Sequence, residues 1–282
     1  MAIDFNKVAL ITGATDGIGR ATAHGLAQRG FQIIIISRNE NKCKDVCRDI
    51  INRTGNSNIN YYVADLSLMS EVKKVSARIR NDIDTIDILI NNVGAVFLDR
   101  DTTDEGIERT FALNHLSYFT MTNELIGHLK KNDGARVVNV SSGMHFQGNI
   151  NFNDLEMDLG YKGFKAYSNS KLMNVLFSNK LSRLYKSSGI ISNALHPGFV
   201  ATKFGHDHNL LFRTAIRCAQ FIGAIKPDTG AETSIFLASD DSISSISGEY
   251  FYKSKPMRSH ELSYSEEDQD ILWDMSMEFA YG

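Results

Sequence analysis

The sequence has few of the features that mark disulfide-bonded, membrane-spanning or nucleic-acid-binding proteins. It contains only three cysteines in 282 residues, and Cys43 and Cys47 have one residue too many between them for a Cys-x-x-Cys motif. We expect these two and Cys218 to be reduced, structural thiols. Apolar runs such as 33–36 are far shorter than the roughly 18 residues that cross a bilayer. The net charge of −3 argues against a nucleic-acid partner.

Neither end of the chain shows a targeting signal. Residues 1–7 precede the first predicted strand and leave no room for a signal or transit peptide. The C-terminal tripeptide AYG matches no address signal. Proline is also scarce, and the three prolines punctuate predicted elements instead of forming a linker. We therefore expect a soluble, cytoplasmic protein without a transmembrane anchor.

Short β-branched runs alternate with longer amphipathic runs along the whole chain. The predicted strands occupy residues 8–12, 32–37, 60–64, 86–91, 136–140, 191–195 and 249–252. The predicted helices occupy residues 17–29, 40–53, 70–82, 103–131, 165–188 and 228–238. Strands that are apolar on both faces, each followed by a helix, indicate a parallel sheet covered on both sides. The pattern predicts a single α/β domain over 1–282: a doubly wound parallel sheet of about seven strands with helices on both faces.

Two connections are too long for this alternation. Residues 143–164 and 203–226 both leave the carboxyl edge of the predicted sheet, where open α/β folds bind ligands. Long loops in compact domains are often lids or substrate walls, although a peripheral helix without a ligand role is the alternative. We expect 7–200 to form the cofactor and catalytic core, 203–226 a substrate lid, and 227–282 a last helix, strand and tail.

A glycine-rich turn follows the first predicted strand. The sequence TGATDGIG at 12–19 places Gly13, Gly17 and Gly19 between a strand and the start of a helix, although the spacing is not G-x-G-x-x-G. Such a turn lets a pyrophosphate approach the unpaired N–H groups and partial positive charge of a helix N-terminus. Alone the turn is weak support, because many strand–helix turns use glycine. Its position after the first strand predicts a dinucleotide site.

The end of the second predicted strand indicates which dinucleotide would bind. An acidic residue there would bind the ribose 2′-hydroxyl of NAD, whereas an arginine suits the 2′-phosphate of NADP. This strand ends in Ser37, Arg38 and Asn39, with no acid among them. The sequence therefore favours NADP(H) over NAD(H). A merely solvated Arg38 is the alternative, and Asp16 in the glycine turn argues mildly against a second basic contact.

A series of motifs running nearly end to end resembles the short-chain dehydrogenase/reductase family. In order they are TGATDGIG (12–19), ADLS (64–67), NNVG (91–94), NHLSYF (114–119), VNVSS (138–142), YSNSK (167–171) and HPGFVAT (196–202). The retinol-dehydrogenase-like branch is the most similar, since Ser142 and Tyr167 lie 25 positions apart there as here. The segments SGEYF and LWDMS also resemble the C-terminus of that branch. Val93 replaces the usual alanine of NNVG.

The resemblance implies a Rossmann-type fold, a nicotinamide dinucleotide and a set of site residues. The implied catalytic residues are Asn114, Ser142, Tyr167 and Lys171. The implied cofactor-binding residues are Gly13, Thr15, Gly17, Ile18, Gly19, Arg38, Asp65, Leu66, Asn92, Val93, Gly94, Tyr167, Lys171, Pro197, Gly198, Val200 and Thr202. Of the catalytic set, Ser142 would donate a hydrogen bond to the substrate oxygen, and Asn114 would hold a water in a proton path.

The pair Tyr167 and Lys171 also has a chemical rationale. Positions i and i+4 share one face of a helix, and reduction of a carbonyl needs a hydride from nicotinamide and a proton from the protein. A free tyrosine has a pKa near 10, so our hypothesis is that the Lys171 ammonium lowers the pKa of the Tyr167 phenol. A Y-x-x-x-K pair alone is more often without consequence. Together with the glycine turn it predicts an acid catalyst.

Other candidate chemistry is weaker. His206 and His208 lack companion ligands at structural-zinc spacing, and we expect no metal. His145 lies near Ser142 in sequence, but no G-x-S-x-G elbow surrounds that serine. We therefore expect His145 to line a substrate pocket and not to serve a hydrolase.

The sequence predicts an NADP(H)-dependent oxidoreductase acting on a hydroxyl/carbonyl pair of a small, apolar molecule: an aldehyde, a ketone, or a retinoid- or steroid-like compound. The alternatives are an NAD-linked alcohol or steroid dehydrogenase and a dinucleotide-sensing protein that has lost turnover. The apolar residues within 203–226 motivate the apolar substrate. Because relatives often pair through long helices, here 103–131 and 165–188, a homodimer or homotetramer is expected.

Overall fold

The computed structural model describes residues 7–199 and 225–282, which fold around one eight-stranded sheet. The strands are β1 Val8–Thr12, β2 Gln32–Ser37, β3 Ile59–Val63, β4 Ile88–Asn91, β5 Arg136–Val140, β6 Ile191–Leu195, β7 Tyr250–Tyr252 and β8 Lys255–Met257. Their order is β3-β2-β1-β4-β5-β6-β7-β8. Strands β1 to β7 are parallel, and β8 runs antiparallel to β7.

Helices cover both faces of this sheet. They are α1 Gly17–Ala27, α2 Glu40–Thr54, α3 Met69–Asp82, α4 Arg109–Phe111, α5 Ser117–Leu129, α6 Gly163–Leu184, α7 Pro227–Ser239 and α8 Glu266–Tyr281. A π turn, Ala112–Leu116, joins α4 to α5, and a short 3-10 helix, Gly143–Gln147, follows β5. The α/β class and the doubly wound parallel sheet predicted from the sequence are confirmed.

Alternation of apolar side chains along the strands creates a core on each face of the sheet. In β2, Ile33 and Ile35 pack into one cluster with residues of α1 and α2, while Ile34 and Ile36 pack into the other with residues of α3 and α5. All four side chains are fully buried. A strand buried on both faces reads as a continuous apolar run, which is why the sequence pattern identified it. Strand order reverses between β1 and β4, and this opens a crevice at their carboxyl ends.

The prediction of one helix over 103–131 is wrong at its N-terminal end. Thr103 begins a turn closed by its backbone N–H, which donates to the Ile107 carbonyl at 2.8 Å. The buried carboxylate of Glu108 then accepts the backbone N–H groups of Thr110 and Phe111, each at 2.7 Å. The helix therefore begins at Arg109, after a glutamate in the capping position. Glutamate is not a typical N-cap residue, so the sequence did not signal this start.

Two C-terminal elements were missed by the sequence analysis. Strand β8 has only three residues and turns back on β7 through Lys253 and Ser254, which both adopt positive φ. Helix α8 begins after Ser265, whose hydroxyl accepts the Asp268 N–H at 3.2 Å. The acids at 266–268 complement the positive end of a helix, so this start did carry a recognisable signal.

Helix α8 lies across α5 and α6. Trp273 contacts Phe119 of α5 at 4.9 Å between ring centroids and Phe177 of α6 at 6.0 Å. Phe279 contacts Phe111 at 5.1 Å. At these positions the chain's own C-terminal helix covers the two helices that we expected to pair between subunits. The homodimer or homotetramer stays a prediction.

Three further expectations concern absences and thiols. Within residues 7–199 and 225–282, no helix is both long and apolar enough to span a membrane. The same ranges hold no group of three His, Cys, Asp or Glu side chains placed for a metal ion. Cys43 and Cys47 are buried free thiols, and burial raises the pKa of both. Cys218, His206 and His208 lie outside the described residues.

Replacing Trp273 by alanine should lower the free energy of unfolding by about 3 kcal/mol, because it removes a large aromatic side chain from the contact of α8 with α5 and α6. Urea denaturation followed by circular dichroism measures the change. Met277 lies on the same helix and is 40% exposed, so Met277→Ala should change the free energy by about 0.5 kcal/mol or less. Equal stability of Trp273→Ala and the wild-type protein would contradict this role for α8.

Candidate active site

The glycine turn packs directly against the loop that follows β4. Gly13 has a φ of +66°, and a Cβ on it would lie 2.9 Å from the Val93 Cα. A Cβ on Gly19 would lie 2.4 Å from the side-chain nitrogen of Asn92. Both positions therefore exclude any larger residue. The turn ends at Gly17, where α1 begins and presents its positive N-terminal end to an approaching anion.

Thr12, which the sequence analysis did not select, fastens this turn to β4. Its hydroxyl accepts the backbone N–H groups of Asn92 at 2.9 Å and Val93 at 3.1 Å. The same hydroxyl donates to the Ile90 carbonyl at 3.4 Å. The Asn92 amide in turn donates to the Thr12 carbonyl at 2.8 Å. A threonine at the end of a strand is common, so nothing in the sequence marked it.

A cavity of about 390 Å³ opens beside the turn, at the carboxyl ends of β1, β4 and β5. The predicted site residues that line it are Gly13, Thr15, Gly17, Ile18, Gly19, Arg38, Asn92, Val93, Gly94, Tyr167, Lys171 and Pro197. This is the position at which open α/β sheets bind ligands. The turn, the second strand end and the Tyr167 helix are thus brought to one cavity.

The remaining predicted cofactor residues fall elsewhere. Asp65 lines a cleft that adjoins the cavity, and the side chain of Leu66 is buried in the core. Gly198, with a φ of +85°, packs against Ile225, since a Cβ on it would lie 3.2 Å from the Ile225 side chain. Val200, Thr202 and residues 203–224 of the expected lid lie outside the described residues.

A larger cleft, of about 810 Å³, lies at the opposite edge of the sheet. It is lined by residues near the amino ends of β6 and β7, among them Ile191, Ser247 and Gly248. None of the predicted site residues lines it. Because the glycine turn and the strand carboxyl ends face the smaller cavity, we place the site there despite its smaller volume.

Two exposed cations flank the cavity at the end of β2. Arg38 and Lys42 line both the cavity and the adjoining cleft. Neither forms an ion pair with another described residue, whereas nearby Lys44 pairs with Glu40 at 2.9 Å. Lys42 was missed by the sequence analysis. It lies in the first turn of α2, four positions after Arg38, and a search of that turn for a second cation would have found it.

The acids of the adjoining cleft are engaged by their own chain. The Asp65 carboxylate accepts the backbone N–H of Ser67 at 2.9 Å and its hydroxyl at 2.7 Å. The Glu71 carboxylate accepts the backbone N–H of Asp65 at 2.6 Å. These bonds orient both carboxylates toward the loop after β3. Asp16 also lines the cavity, where its carboxylate accepts the Gly17 N–H at 2.8 Å. The two cations supply the positive charge that an anionic ligand would meet at this end.

At the other end of the cavity, Tyr167 of α6 meets Ser142, which follows β5. The Ser142 hydroxyl hydrogen-bonds to the Tyr167 phenol, and burial raises the pKa of Tyr167 to about 12 against the opposing effect of that bond. The Ser142 oxygen also accepts the Met144 backbone N–H at 3.2 Å. The hypothesis that Lys171 acidifies this phenol is therefore wrong for the protein alone, because desolvation of the phenolate dominates and burial also lowers the pKa of Lys171 itself to about 7.

Lys171 lies in the same helix and is also buried, with 3% exposure. Its amine donates to the Val140 carbonyl at 3.1 Å and lies 5.7 Å from the Tyr167 ring centroid and 5.4 Å from that of Tyr118. Burial lowers the pKa of Lys171 to about 7. Its positive charge is therefore present below about pH 7 and lost above it.

Asn114 reaches the same place from the π turn. Its amide donates to the Ala95 carbonyl at 2.9 Å and to the Ser170 hydroxyl at 3.1 Å, and its oxygen accepts the Ala95 N–H at 2.9 Å. A Cβ on Gly94 would lie 3.1 Å from the Lys171 nitrogen and 3.3 Å from the Asn114 oxygen. Of the four side chains predicted to be catalytic, Tyr167 and Lys171 line the cavity. Ser142 and Asn114 do not line it, but Ser142 hydrogen-bonds to Tyr167 and Asn114 lies beside Gly94, close to the Lys171 amine. Their roles stay predictions.

His145 is buried and holds the turn that follows Ser142. Its Nδ1 lies 2.8 Å from the Ser142 carbonyl and 3.2 Å from the Tyr250 hydroxyl, and its Nε2 accepts the His260 backbone N–H at 3.3 Å. Nδ1 therefore carries the proton. Burial lowers the pKa of His145 to about 4, so the ring is neutral near pH 7. His145 supports the backbone of Ser142 and does not line the cavity.

Comparison with known proteins places this geometry in a family. The family model described as short chain dehydrogenase matches residues 7–210. Retinol dehydrogenase 13 of Homo sapiens is 37% identical over 87% of this chain and 76% of its own length. Polyprenol dehydrogenase of Homo sapiens is 34% identical over 98% of this chain and 85% of its own. The crystal structure of an uncharacterized protein from Mycobacterium Paratuberculosis aligns with a TM-score of 0.78 at 28% identity, covering 98% of this chain and 93% of that one.

Lys171 should titrate near pH 7, well below the usual lysine pKa of about 10.4, because its buried amine is costly to charge. Nuclear magnetic resonance of protein labelled at the lysine Cε carbons measures this titration directly. The low-pH transition should disappear in Lys171→Met and persist in Lys44→Met, which removes an exposed lysine. If every lysine signal titrated above about pH 9, the burial argument would fail.

Proposed function

The chain belongs to the short-chain dehydrogenase family, and we propose that it is an NADP(H)-dependent reductase of apolar aldehydes or ketones. Membership makes it an oxidoreductase that uses a nicotinamide dinucleotide. The proposal adds the cofactor type, the substrate class and the direction. The observation that carries it is the meeting of Tyr167, Ser142 and Lys171 at the end of the cavity that the glycine turn opens.

The residues around the cavity fit a dinucleotide. Positions 13, 19 and 94 form a cradle in which a Cβ would approach a neighbouring atom to 2.9, 2.4 and 3.1 Å respectively. The N-terminus of α1 would hold the pyrophosphate. Arg38 and Lys42 would hold the 2′-phosphate, and Asn92 and Val93 would border the adenosine. When bound, the dinucleotide supplies the hydride.

The protein's part of the reaction is to orient the carbonyl and provide one proton. The Ser142 hydroxyl donates a hydrogen bond to the carbonyl oxygen, where negative charge develops as the hydride reaches the carbon. Tyr167 gives its phenolic proton to that oxygen, which completes the alcohol and leaves a phenolate. Lys171, while protonated, stabilises that phenolate. Asn114 borders Lys171 and would hold the water through which solvent returns the proton.

The raised pKa of Tyr167 favours the reductive direction. A phenol with a pKa of about 12 is protonated at neutral pH and can donate to an alkoxide, which is a stronger base than phenolate. Alcohol oxidation needs the phenolate at the start, and that form is rare at pH 7. The protein alone is therefore prepared to donate a proton.

Support for NADP(H) comes from the two free cations at the end of β2. Arg38 and Lys42 are exposed and unpaired among the described residues, while the acids in that cleft bond to their own backbone. A 2′-phosphate would receive charge-assisted hydrogen bonds from both. A 2′-hydroxyl would gain little from them, which is why NAD(H) is the alternative cofactor and not the proposed one.

Support for an apolar substrate comes from the mouth of the cavity and from the relatives. Val96 and Phe97 line the cavity, and Phe199, just after Pro197, is 54% exposed. The two relatives are named for retinol and polyprenol, both long apolar alcohols.

Tyr167→Phe should retain affinity for NADPH and lose at least about a hundredfold in turnover, because it removes only the proton donor. The measurement is the decay of NADPH absorbance with a panel running from retinal and long-chain aldehydes to short polar aldehydes. Tyr185→Phe, near the C-terminal end of α6, is the matched control and should turn over like the wild-type protein. Wild-type rates in Tyr167→Phe would remove Tyr167 as the acid.

The same panel separates the proposal from a dinucleotide-sensing protein. A sensor would bind NADPH and reduce no member of the panel, even as the wild-type chain. Rates that rise with the apolar length of the aldehyde would support the proposed substrate class. Preference for the short polar aldehydes would contradict it.

Replacing Arg38 by serine or Lys42 by alanine should weaken NADPH binding roughly tenfold to a hundredfold, because each change removes a charge-assisted hydrogen bond. Affinity for NADH should be unchanged, and fluorescence titration measures both cofactors. Lys44→Ala removes the same charge from α2 outside the cavity and serves as the control. An equal loss of NADH and NADPH affinity would contradict a 2′-phosphate site.

A further inference from the structure

The π turn that carries Asn114 is joined to α6 by a side chain. In this turn the Ser117 N–H reaches back to the Ala112 carbonyl, one residue further than in an α-helix. The carbonyl of Asn114 accepts the side-chain amide of Asn174 at 2.9 Å. Both asparagines are fully buried. Asn174 therefore fixes the backbone of the residue whose side chain contacts Ala95 and Ser170 beside Lys171.

Two further hydrogen bonds link Asn174 to the C-terminal helix, and in each of them only one partner can be the donor. The Asn174 oxygen can only accept, and it lies 3.3 Å from His115 Nδ1, so Nδ1 carries the proton. Burial lowers the pKa of His115 to about 4, so the ring is neutral near pH 7 and Nε2 has no proton. The Ser276 hydroxyl, 2.9 Å away, must donate to that Nε2. Ser276 therefore donates to His115, His115 donates to Asn174, and Asn174 donates to the Asn114 carbonyl.

Ser276 is in turn held by the packing of α8. It is fully buried, as is Leu272 on the same helix, and Trp273 stacks on Phe177 of α6. The position of α8 is thus transmitted through three hydrogen bonds to the Asn114 carbonyl. A shift of the Asn114 backbone would move its amide away from Ala95 and Ser170, next to the Lys171 amine.

We infer that Asn174 is a positioning residue for the active site and that His115 and Ser276 make its orientation depend on the docking of α8. The inference rests on the proposed reductase function. Asn174 lines neither the cavity nor the cofactor cradle, so it acts through Asn114. Loss of the hydrogen bonds that link Ser276, His115, Asn174 and Asn114 should lower turnover and leave cofactor binding unchanged.

The test compares Asn174→Leu, Asn174→Asp, Ser276→Ala and wild-type protein. Asn174→Leu should lower kcat roughly tenfold to a hundredfold, as loss of an orienting hydrogen bond does elsewhere, with the Kd for NADPH unchanged. Ser276→Ala should lower kcat in the same way but less, since Asn174 remains. Ser178→Ala is the control, because Ser178 is fully buried one turn further along α6 and bonds to Ser192. It should keep the wild-type kcat.

Asn174→Asp provides a readout that a purely structural role would not move. A protonated carboxyl can donate to the Asn114 carbonyl and accept from His115, as the amide does, whereas a carboxylate cannot donate. The ratio of variant to wild-type kcat should therefore rise as pH falls. Dividing by the wild-type value removes the pH dependence that the two proteins share. In the wild-type protein, His115, whose pKa burial lowers to about 4, and Tyr118, whose pKa burial raises, keep their charge across the neutral range.

The possible failures are distinguishable. If the wild-type protein reduces no carbonyl, the proposed function fails, and the hydrogen bonds from Ser276 to Asn114 have a structural role only. If the wild-type chain turns over and Asn174→Leu does so equally, the positioning inference is overturned. A pH-independent ratio for Asn174→Asp, or a fall in kcat matched by a weaker NADPH Kd, would overturn it as well. Asn174→Asp keeps the test decisive if Asn174→Leu does not fold.

Discussion

Burial of the Lys171 amine is the constraint on which the candidate site depends. The amine lies at 3% exposure between the Val140 carbonyl and the faces of Tyr118 and Tyr167. A carbonyl dipole and two aromatic faces partly replace the water that an ammonium loses. The remaining cost lowers its pKa to about 7. The glycine at position 94 keeps this space open, since a Cβ there would press on the amine at 3.1 Å.

The C-terminal segment supports the site on two sides, each time through a buried neutral histidine. On one side, the His260 N–H donates to Nε2 of His145, whose Nδ1 supports the Ser142 carbonyl. On the other side, Ser276 donates to Nε2 of His115, and Nδ1 of that ring lies against Asn174. Neutral imidazole suits this arrangement because it donates from one nitrogen and accepts at the other. Residues far apart in the sequence thus hold Ser142 and Asn114 by the same device.

The sequence predicted what depends on local pattern and missed what depends on contacts between distant residues. Apolar runs such as 33–36 identified the strands, and the glycine turn identified the cavity, because each is determined by its own few residues. The helix predicted from residue 103 begins only at Arg109, because the buried carboxylate of Glu108 caps its first turn from an atypical capping residue. Thr12, Lys42 and Asn174 gain their importance only when the fold places them beside other elements. The prediction that Lys171 lowers the pKa of Tyr167 was wrong for the same reason, because an i, i+4 spacing does not show how deeply the two side chains are buried.

The pKa of Tyr167 is raised and the pKa of Lys171 is lowered by the same physical cause. Desolvation disfavours both the phenolate and the ammonium, so near neutral pH the protein alone keeps the phenol protonated and lets the amine lose its proton readily. No charge is then left buried without a counter-charge in that pair. A negative charge that develops on a carbonyl oxygen beside Ser142 changes this balance, because it favours proton transfer from the phenol and protonation of the amine together. The pair is therefore suited to respond to an alkoxide and not to create a phenolate in advance, which supports the proposed reductive direction.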